Sequence, residues 1–320
     1  MKKGLVITAV VLTVLGLAIA AGAFALAGFD FGKLGGVQFQ EAEYPFDADF
    51  TKIEIDTDET DVVFYPTEDP VGGVVCEERQ KVRYTVTIED GTLKIGVDDQ
   101  RTWLDRLTLF SKTPTMTVCL PKAYYEALRI DGHTGDVSIP GGFTFGSIDV
   151  TSSTGDVRCE ASADGLLQIK TATGDIELSE DLHAGEISLS VSTGRIEING
   201  AACEGTVSVS VGTGKTYLTD VTCKNLISKG STGDVVLKNT VASGQFDVER
   251  GTGDVRFENC DAKEIAVKTT TGDVTGTLRS EKIFLVKTST GDVDVPETTS
   301  GGRCEITTAT GDIEIRLIGD

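Results

Sequence analysis

Apolar and polar residues alternate in short runs through the last two thirds of the chain, and pairs of runs bracket a Thr-Gly dipeptide. Leu167 and Ile169 precede Gly174, for example, and Ile176 and Leu178 follow it. A period of two indicates β-strands with one buried face, so each unit is predicted to be a strand, a glycine turn, a second strand and a polar return. The pattern predicts an all-β structure with no helix in this region.

Ten Thr-Gly dipeptides recur at intervals of 19 or 20 residues, and Asp follows eight of them. One such unit cannot bury its own apolar face, whereas stacked copies can pair strand on strand around a continuous core. The repeat over residues 131–320 therefore predicts a parallel β-solenoid (β-helix) of about ten or more coils. The corner residues of these coils are Gly135, Asp136, Gly155, Asp156, Gly174, Asp175, Gly194, Gly214, Gly233, Asp234, Gly253, Asp254, Gly272, Asp273, Gly291, Asp292, Gly311 and Asp312.

The chemistry of this corner motif has two interpretations. Glycine can take a positive φ, which a sharp corner repeated in every coil would require. Asp can cap nearby backbone N–H groups in an Asx turn, or stacked carboxylates could bind Ca²⁺ between coils. The sequence lacks the Gly-Gly-x-Gly-x-Asp pattern of calcium-binding solenoids, so we expect capping, with no metal or other cofactor. Arg195 and Lys215 replace two of the aspartates and would relieve the like charge of the stack.

Residues 46–130 lack the Thr-Gly corners of the repeat and are predicted to form degenerate N-terminal coils and a β-hairpin cap. Residues 55–64 align onto residues 169–178, with Thr60 in place of the corner glycine. Alternation from Val82 to Val97 around Asp90-Gly91 predicts the hairpin, and Met116, Val118 and Leu120 mark one more strand. The apolar residues between 103 and 110 are expected to cover the open end of the core; an exposed contact for a partner or a membrane surface is the alternative.

The N-terminal sequence predicts export. Residues 5–27 form an uncharged apolar run, whose helix of about 35 Å would cross a hydrocarbon core of about 30 Å. Lys2 and Lys3 favour a cytoplasmic N-terminus over residues 1–4, with a linker over residues 28–45. A cleaved signal peptide ending near Ala25-Leu26-Ala27 is the alternative. Both interpretations place the solenoid outside the cell, and the first makes the protein a single-pass protein of the cell membrane.

Charge and composition narrow the possible partners. The chain has 50 acidic against 29 basic residues and a formal net charge of −21, the wrong sign for following a phosphate backbone, so we expect no nucleic-acid partner. Its 39% of apolar residues can nevertheless build a core. With 37 glycines and only 6% aromatic residues, that core is expected to be narrow and filled by Val, Ile, Leu and Thr.

The seven cysteines are expected to be mostly buried free thiols, because Cys159 and Cys304 occupy core positions of the repeat. Cys203 and Cys223 both lie nine residues after a corner glycine, so stacking would bring their Cα atoms within disulfide range. A bridge between these two residues is the alternative to free thiols.

The corner motif resembles that of a bacterial family known as putative adhesins, in which a membrane-anchored β-solenoid carries recurring Thr/Ser-Gly-Asp-Val/Ile corners. The resemblance runs from about Phe46 to Ile315 and includes the Leu120-Pro121 step before the first Gly-Asp corner. It implies the same architecture and a binding role at the cell surface, and some members of the family are linked to cell-envelope stress responses. Arg195 and Lys215 depart from the motif, so the resemblance does not imply an unbroken row of carboxylates.

From these observations we expect a non-catalytic surface or envelope protein whose long faces bind a glycan, an envelope polymer or a membrane-protein partner. Two other functions stay open: a regulatory component of envelope stress responses that binds membrane partners, and a glycan-active β-helix enzyme. Catalysis would require paired carboxylates or basic residues gathered in one groove, and no coil is enriched in them. The two histidines, His133 and His183, belong to different repeats and form no triad or metal-binding pattern.

Overall fold

The computed structural model describes residues 39–46, 48–68, 72–102, 112–179 and 181–318. These residues contain 28 β-strands and no helix, as the alternation predicts. The strands of the head are β1 (Gln40–Pro45), β2 (Lys52–Glu59), β3 (Asp61–Thr67), β4 (Gly73–Glu78), β5 (Val82–Glu89), β6 (Thr92–Asp99) and β7 (Thr115–Pro121).

The strands of the repeat region are β8 (Tyr124–Tyr125), β9 (Ala127–Thr134), β10 (Val137–Ile139), β11 (Thr144–Phe145), β12 (Ile148–Thr154), β13 (Val157–Cys159), β14 (Ser162–Thr173), β15 (Ile176–Leu178), β16 (Leu182–Thr193), β17 (Ile196–Cys203), β18 (Thr206–Thr213), β19 (Thr216–Cys223), β20 (Asn225–Thr232), β21 (Val235–Lys238), β22 (Val241–Thr252), β23 (Val255–Thr271), β24 (Val274–Leu278), β25 (Lys282–Lys287), β26 (Val293–Asp294), β27 (Gly302–Thr307) and β28 (Ile313–Leu317).

Successive repeats pair in parallel, with residues 19 or 20 positions apart lying side by side. On the long side before the corner glycine, which we call side A, Ile148 of β12 pairs with Leu167 of β14, and Leu167 pairs with Ile187 of β16. These side chains are buried, and the polar residues between them face outward. The predicted parallel β-solenoid of about ten turns is therefore confirmed.

The coils between Tyr124 and Ala262 have three sides, one more than the alternation predicts. Side B follows the corner glycine, as in Ile196–Ile198, which pairs with Ile176–Leu178. The expected polar return is instead a short third strand, side C, in which Ala201–Cys203 pairs with Leu182–Ala184. Side C escaped prediction because its two or three inward residues are too few to establish a period.

The head contains the degenerate coil predicted over residues 55–64. β2 pairs in parallel with β9 and β3 with β10, so this coil continues the solenoid. Thr60 occupies the corner position, since its N–H donates to the carbonyl of Thr134 at 2.8 Å. The predicted hairpin is also present as antiparallel β5 and β6, turning at Asp90 and Gly91 with φ of 50° and 71°.

At both ends of the solenoid, the order of the coils in space differs from their order in the chain. At the head, β6 and β7 form a coil that pairs with β2 and β3 and lies outside them, although it follows them in the chain. At the other end, the last coil, β27 and β28, is inserted between the two coils that precede it. β27 pairs with β23 on one side and with β25 on the other, and β28 pairs with β24 and β26. The edge at this end is therefore the penultimate coil.

Antiparallel strands close the head end. β4 pairs with β7, and β1 pairs with β4, so residues 40–45 form a strand where the sequence predicts the end of a linker over residues 28–45. The linker prediction is wrong for these residues because Ala42 and Tyr44 turn toward the core, and the Tyr44 hydroxyl donates to Glu78 at 2.6 Å.

Two expectations fall outside the described residues: the transmembrane helix over residues 5–27 and the apolar segment between 103 and 110. Within the described ranges, none of the secondary structure is a helix of the length and apolar character that a membrane span needs.

Candidate functional site

The corner glycines have the conformation that the sequence predicts. Their φ angles lie between +122° and +149°, a region that favours glycine. The coils also approach closely here, because a Cβ atom added at Gly155 would lie 2.0 Å from the carbonyl oxygen of Gly135 in the neighbouring coil. Glycine is thus required at this corner for two independent reasons, backbone conformation and space.

The corner aspartates link neighbouring coils. The N–H of Asp156 donates to Oδ1 of Asp136 at 2.8 Å, and the N–H of Asp175 donates to Oδ1 of Asp156 at 2.7 Å. The predicted local Asx turn is therefore wrong, because the corner N–H groups point along the rod axis and meet the carboxylate of the next coil. The same bond joins Asp273 to Asp254, and it joins Asp312 of the inserted last coil to Asp273.

Arg195 and Lys215 neutralise the ends of the two aspartate runs, as expected. The Arg195 guanidinium lies 3.2 Å from Asp175, and the Lys215 ammonium lies 3.0 Å from Asp234. The hydrogen bond from Lys215 lowers the pKa of Asp234 below its ordinary value. Within the described ranges, no three His, Cys, Asp or Glu side chains are grouped in a way that could hold a metal ion.

Small residues stack at the end of side C in six successive coils: Ala163, Ala184, Cys203, Cys223, Ala242 and Ala262. In three of these coils a glycine follows two residues later, and in a fourth Gly185 follows Ala184 directly. A Cβ at Gly205 would lie 2.7 Å from the carbonyl oxygen of Gly185. The surface is therefore sunken along this edge. We call this depression the side-C groove.

The side-C groove contains two adjoining cavities. One, of about 610 Å³, extends over the coils from Ala163 to Ser243, and the next, of about 420 Å³, extends from Val241 to Gly302. Toward the head, the equivalent positions hold Tyr125 and Phe145, whose ring centroids lie 5.7 Å apart. The groove begins at Ala163, where alanine replaces these large rings.

Polar groups along the first cavity carry charges of both signs. Asp164, His183, Glu204 and Lys224 line it, and none of them is one of the corner residues. Neutral and charged hydrogen-bonding groups thus recur along the groove at the spacing of the coils, about 4.8 Å. A chain molecule with a repeating polar pattern could contact several of them at once.

The two groove cysteines are thiols in the structure, as are the other five. The Cys203 Sγ donates to the carbonyl of Gly185 at 3.5 Å, and the Cys223 Sγ donates to that of Val241 at 3.9 Å. Burial raises the pKa of Cys203 and raises that of Cys223 to about 12. Both thiols are therefore protonated at neutral pH and are weak nucleophiles.

The sequence contains a signal for the groove that lies outside the Thr-Gly corner motif. A residue no larger than Cys stands ten or eleven positions before six successive corner glycines, from Gly174 to Gly272. The histidines are not brought together: His183 lines the groove, whereas His133 lies near the glycine corner, at the other end of side A.

Three of the solved structures that this chain is similar to are of bacterial proteins. The chain is similar to a putative lipid binding protein of Parabacteroides distasonis, with 15% identity over 74% of this chain and 96% of that one and a TM-score of 0.49. It is also similar to putative adhesins of Bacteroides fragilis (14% identity, 87% and 97% coverage, TM-score 0.40) and of P. distasonis (11%, 86% and 98%, 0.44).

No curated protein matches the chain. A family model described as Toastrack DUF4097 matches residues 50–213 and again residues 186–320, so that the two matches together extend from the first head coil to the last residue. The chain belongs to the Toastrack DUF4097 family.

Proposed function

We propose that this protein is a non-catalytic binding module displayed outside the cell membrane, and that its side-C groove receives a glycan strand or another envelope polymer. The observation that carries the proposal is the continuity of the groove, because small residues repeat at one position through six coils. An extended polymer lying there would make one set of weak contacts per coil, and such contacts add along its length.

The charge of the protein favours an uncharged or amino-bearing polymer. The net charge of −21 repels polyanions, and Asp164 and Glu204 stand on the groove itself. Carboxylates accept hydrogen bonds from sugar hydroxyls and from ammonium groups. Amino-sugar polymers offer both groups, so we expect them to bind better than phosphate-rich polymers.

The state of the nucleophilic and acidic groups supports binding without catalysis. The groove thiols are held in their protonated form by burial. Most corner carboxylates accept main-chain N–H bonds from a neighbouring coil, which gives them a structural role between coils. The proposed location outside the membrane rests on the apolar sequence of residues 5–27.

Binding of amino-sugar oligosaccharides to the full chain in detergent tests this function, with product analysis to detect hydrolysis. Ala202→Trp places a large ring on side C beside the groove, and we expect it to abolish binding. Ser208→Trp, on the outward face of side A, is the matched control and should bind as the native protein does. Equal binding by both variants would contradict the groove assignment, and released sugar products would contradict a non-catalytic role.

A further inference from the structure

Exposed apolar side chains gather at the end of the solenoid opposite the head. Of the seven large apolar residues exposed among the described residues, three lie on the edge coil formed by β25 and β26. Ile283 and Leu285 face outward from β25 and are 44% and 49% exposed, and Val293 of β26 is also exposed. At the positions paired with Ile283 and Leu285, the neighbouring strand β27 carries Arg303 and Glu305.

β25 also has one unpaired edge. Within the described part of the chain it pairs only with β27, where the Lys287 carbonyl accepts the N–H of Thr308 at 3.0 Å. Main-chain groups of alternate residues point to opposite edges of a strand, so those of Phe284 and Val286 point away from the solenoid. The hydroxyl of Thr298 donates to the carbonyl of Lys282. The free stretch of the edge therefore begins at Ile283.

The two ends of the solenoid differ in whether further strands pair with the outermost coil. Antiparallel strands β1, β4 and β5 extend the sheets at the head end, whereas nothing described continues the sheet beyond β25. An exposed apolar edge strand is a template for pairing with another strand.

We infer that two copies of this protein pair end to end through β25, antiparallel, around a two-fold axis at Phe284. The main-chain groups of Phe284 would bond to those of Phe284 in the second copy. In this register Leu285 lies opposite Ile283 of the second copy, and Lys287 lies opposite Glu281. Glu281 and Lys287 are both exposed and stand just before and at the end of β25, so the edge is complementary to itself in charge as well as in apolar surface.

A two-fold contact of this kind closes at two copies, because the same edge is used by both. Moving the axis by one residue, to Leu285, would place Lys287 opposite Ile283 and lose the ion pair. The self-complementarity of one register therefore favours a second copy over an unrelated strand as the occupant of this edge.

Sedimentation of the full chain in detergent as a function of protein concentration tests the inference. We expect a monomer–dimer equilibrium, and Leu285→Lys should raise its dissociation constant by at least about tenfold. The matched control is Leu166→Lys, an exposed apolar residue of β14 far from the edge, which should leave the equilibrium unchanged. Thermal unfolding of both variants checks that neither disrupts the core.

A charge exchange tests the register. Lys287→Glu or Glu281→Lys alone places like charges opposite each other and should weaken the dimer, whereas the double variant should restore it. A native protein that stays monomeric, a dimer insensitive to Leu285→Lys, a double variant weaker than either single one, or assembly beyond two copies would each overturn the inference.

Discussion

The guanidinium of Arg250 occupies space that the missing side chain of Gly230 leaves in the neighbouring coil. A Cβ atom added at Gly230 would lie 2.5 Å from Nη1 of Arg250. Arg250 is only 4% exposed, and its Nη2 donates to the hydroxyls of Thr216 at 2.9 Å and Ser228 at 3.0 Å. Burial lowers its pKa to about 10. The core thus holds a cation whose bonds from Nη2 go to neutral hydroxyl groups.

We predict that Arg250→Met stabilises the protein, by about 1–3 kcal/mol, because a flexible apolar chain of similar length fills the site without the cost of burying a charge. Arg250→Ala should instead destabilise it by leaving a cavity. Denaturant unfolding of each variant measures the difference. Arg256→Met, on an exposed outward position, is the control and should stay within about 0.5 kcal/mol of the native protein. A destabilised Arg250→Met would show that the hydroxyl bonds outweigh the desolvation of the charge.

We predict that Gly174→Ala destabilises the solenoid by about 2–4 kcal/mol. Its φ is +137°, and the new Cβ would lie 2.1 Å from the carbonyl oxygen of Gly155, so conformational strain and a backbone clash add. Gly141→Ala is the matched control, since a Cβ there meets its nearest neighbour at 3.7 Å. Chemical denaturation should separate the two variants clearly, and equal stability would argue against the close approach of the corners.

For the aspartate ladder we predict that Asp156→Ala costs about 1 kcal/mol and that Asp156→Asn costs little. The amide keeps an oxygen for the N–H of Asp175 and removes one like charge from the stack, whereas alanine leaves that N–H without its acceptor. Unfolding free energies of the two variants provide the comparison. A melting temperature of the native protein that rises strongly with millimolar Ca²⁺, but not with Mg²⁺, would contradict a purely main-chain role.

The corner motif and the core positions could be predicted because both are local in sequence. The positive φ of Gly174 and the burial of Ile176 and Leu178 follow from a conformational preference and a period of two. The hydrogen bond from Asp156 to the next coil could not be predicted, because the sequence does not tell which way the corner N–H points.

The order of the last coils could not be predicted from the sequence. Val274 pairs with Ile313, 39 residues on, and not with Val293, yet all three are β-branched residues two positions after a corner glycine. Because the coils share one pattern, either neighbour satisfies the local rules equally well. Only the complete set of contacts at the end of the solenoid distinguishes the two arrangements.

We predict that seven thiols react with a thiol reagent in denaturant without reductant, and that few react in the native protein. The thiols are mostly buried, and burial raises the pKa of Cys76, Cys159 and Cys304 to about 12, so little thiolate is available at neutral pH. A count of five in denaturant, restored to seven by reductant, would instead reveal a disulfide between Cys203 and Cys223.

The head cap provides a pH-dependent contribution to stability. Glu78 is 3% exposed, and burial alone would raise its pKa, but hydrogen bonds from the Tyr44 hydroxyl, the Arg83 guanidinium and the N–H of Tyr84 outweigh burial and lower it. Hydrogen bonds from Arg79 and Arg101 likewise lower the pKa of Glu59 against its burial. Both carboxylates are therefore more acidic in the folded protein than in the unfolded chain.

A carboxylate with a lowered pKa stabilises the fold fully above its unfolded value, near 4.5, and the stabilisation is lost as the pH falls through the folded value. We therefore predict that the cap loosens below about pH 4.5, and that Glu78→Gln lowers stability at neutral pH by about 1–2 kcal/mol while making it less dependent on pH in the acid range. Unfolding followed from pH 7 to pH 3 measures both effects. Glu54→Gln, exposed on β2, is the control and should reproduce the native pH profile. If Glu78→Gln follows the same acid profile as the native protein, the carboxylate of Glu78 is not the group that links the cap to pH.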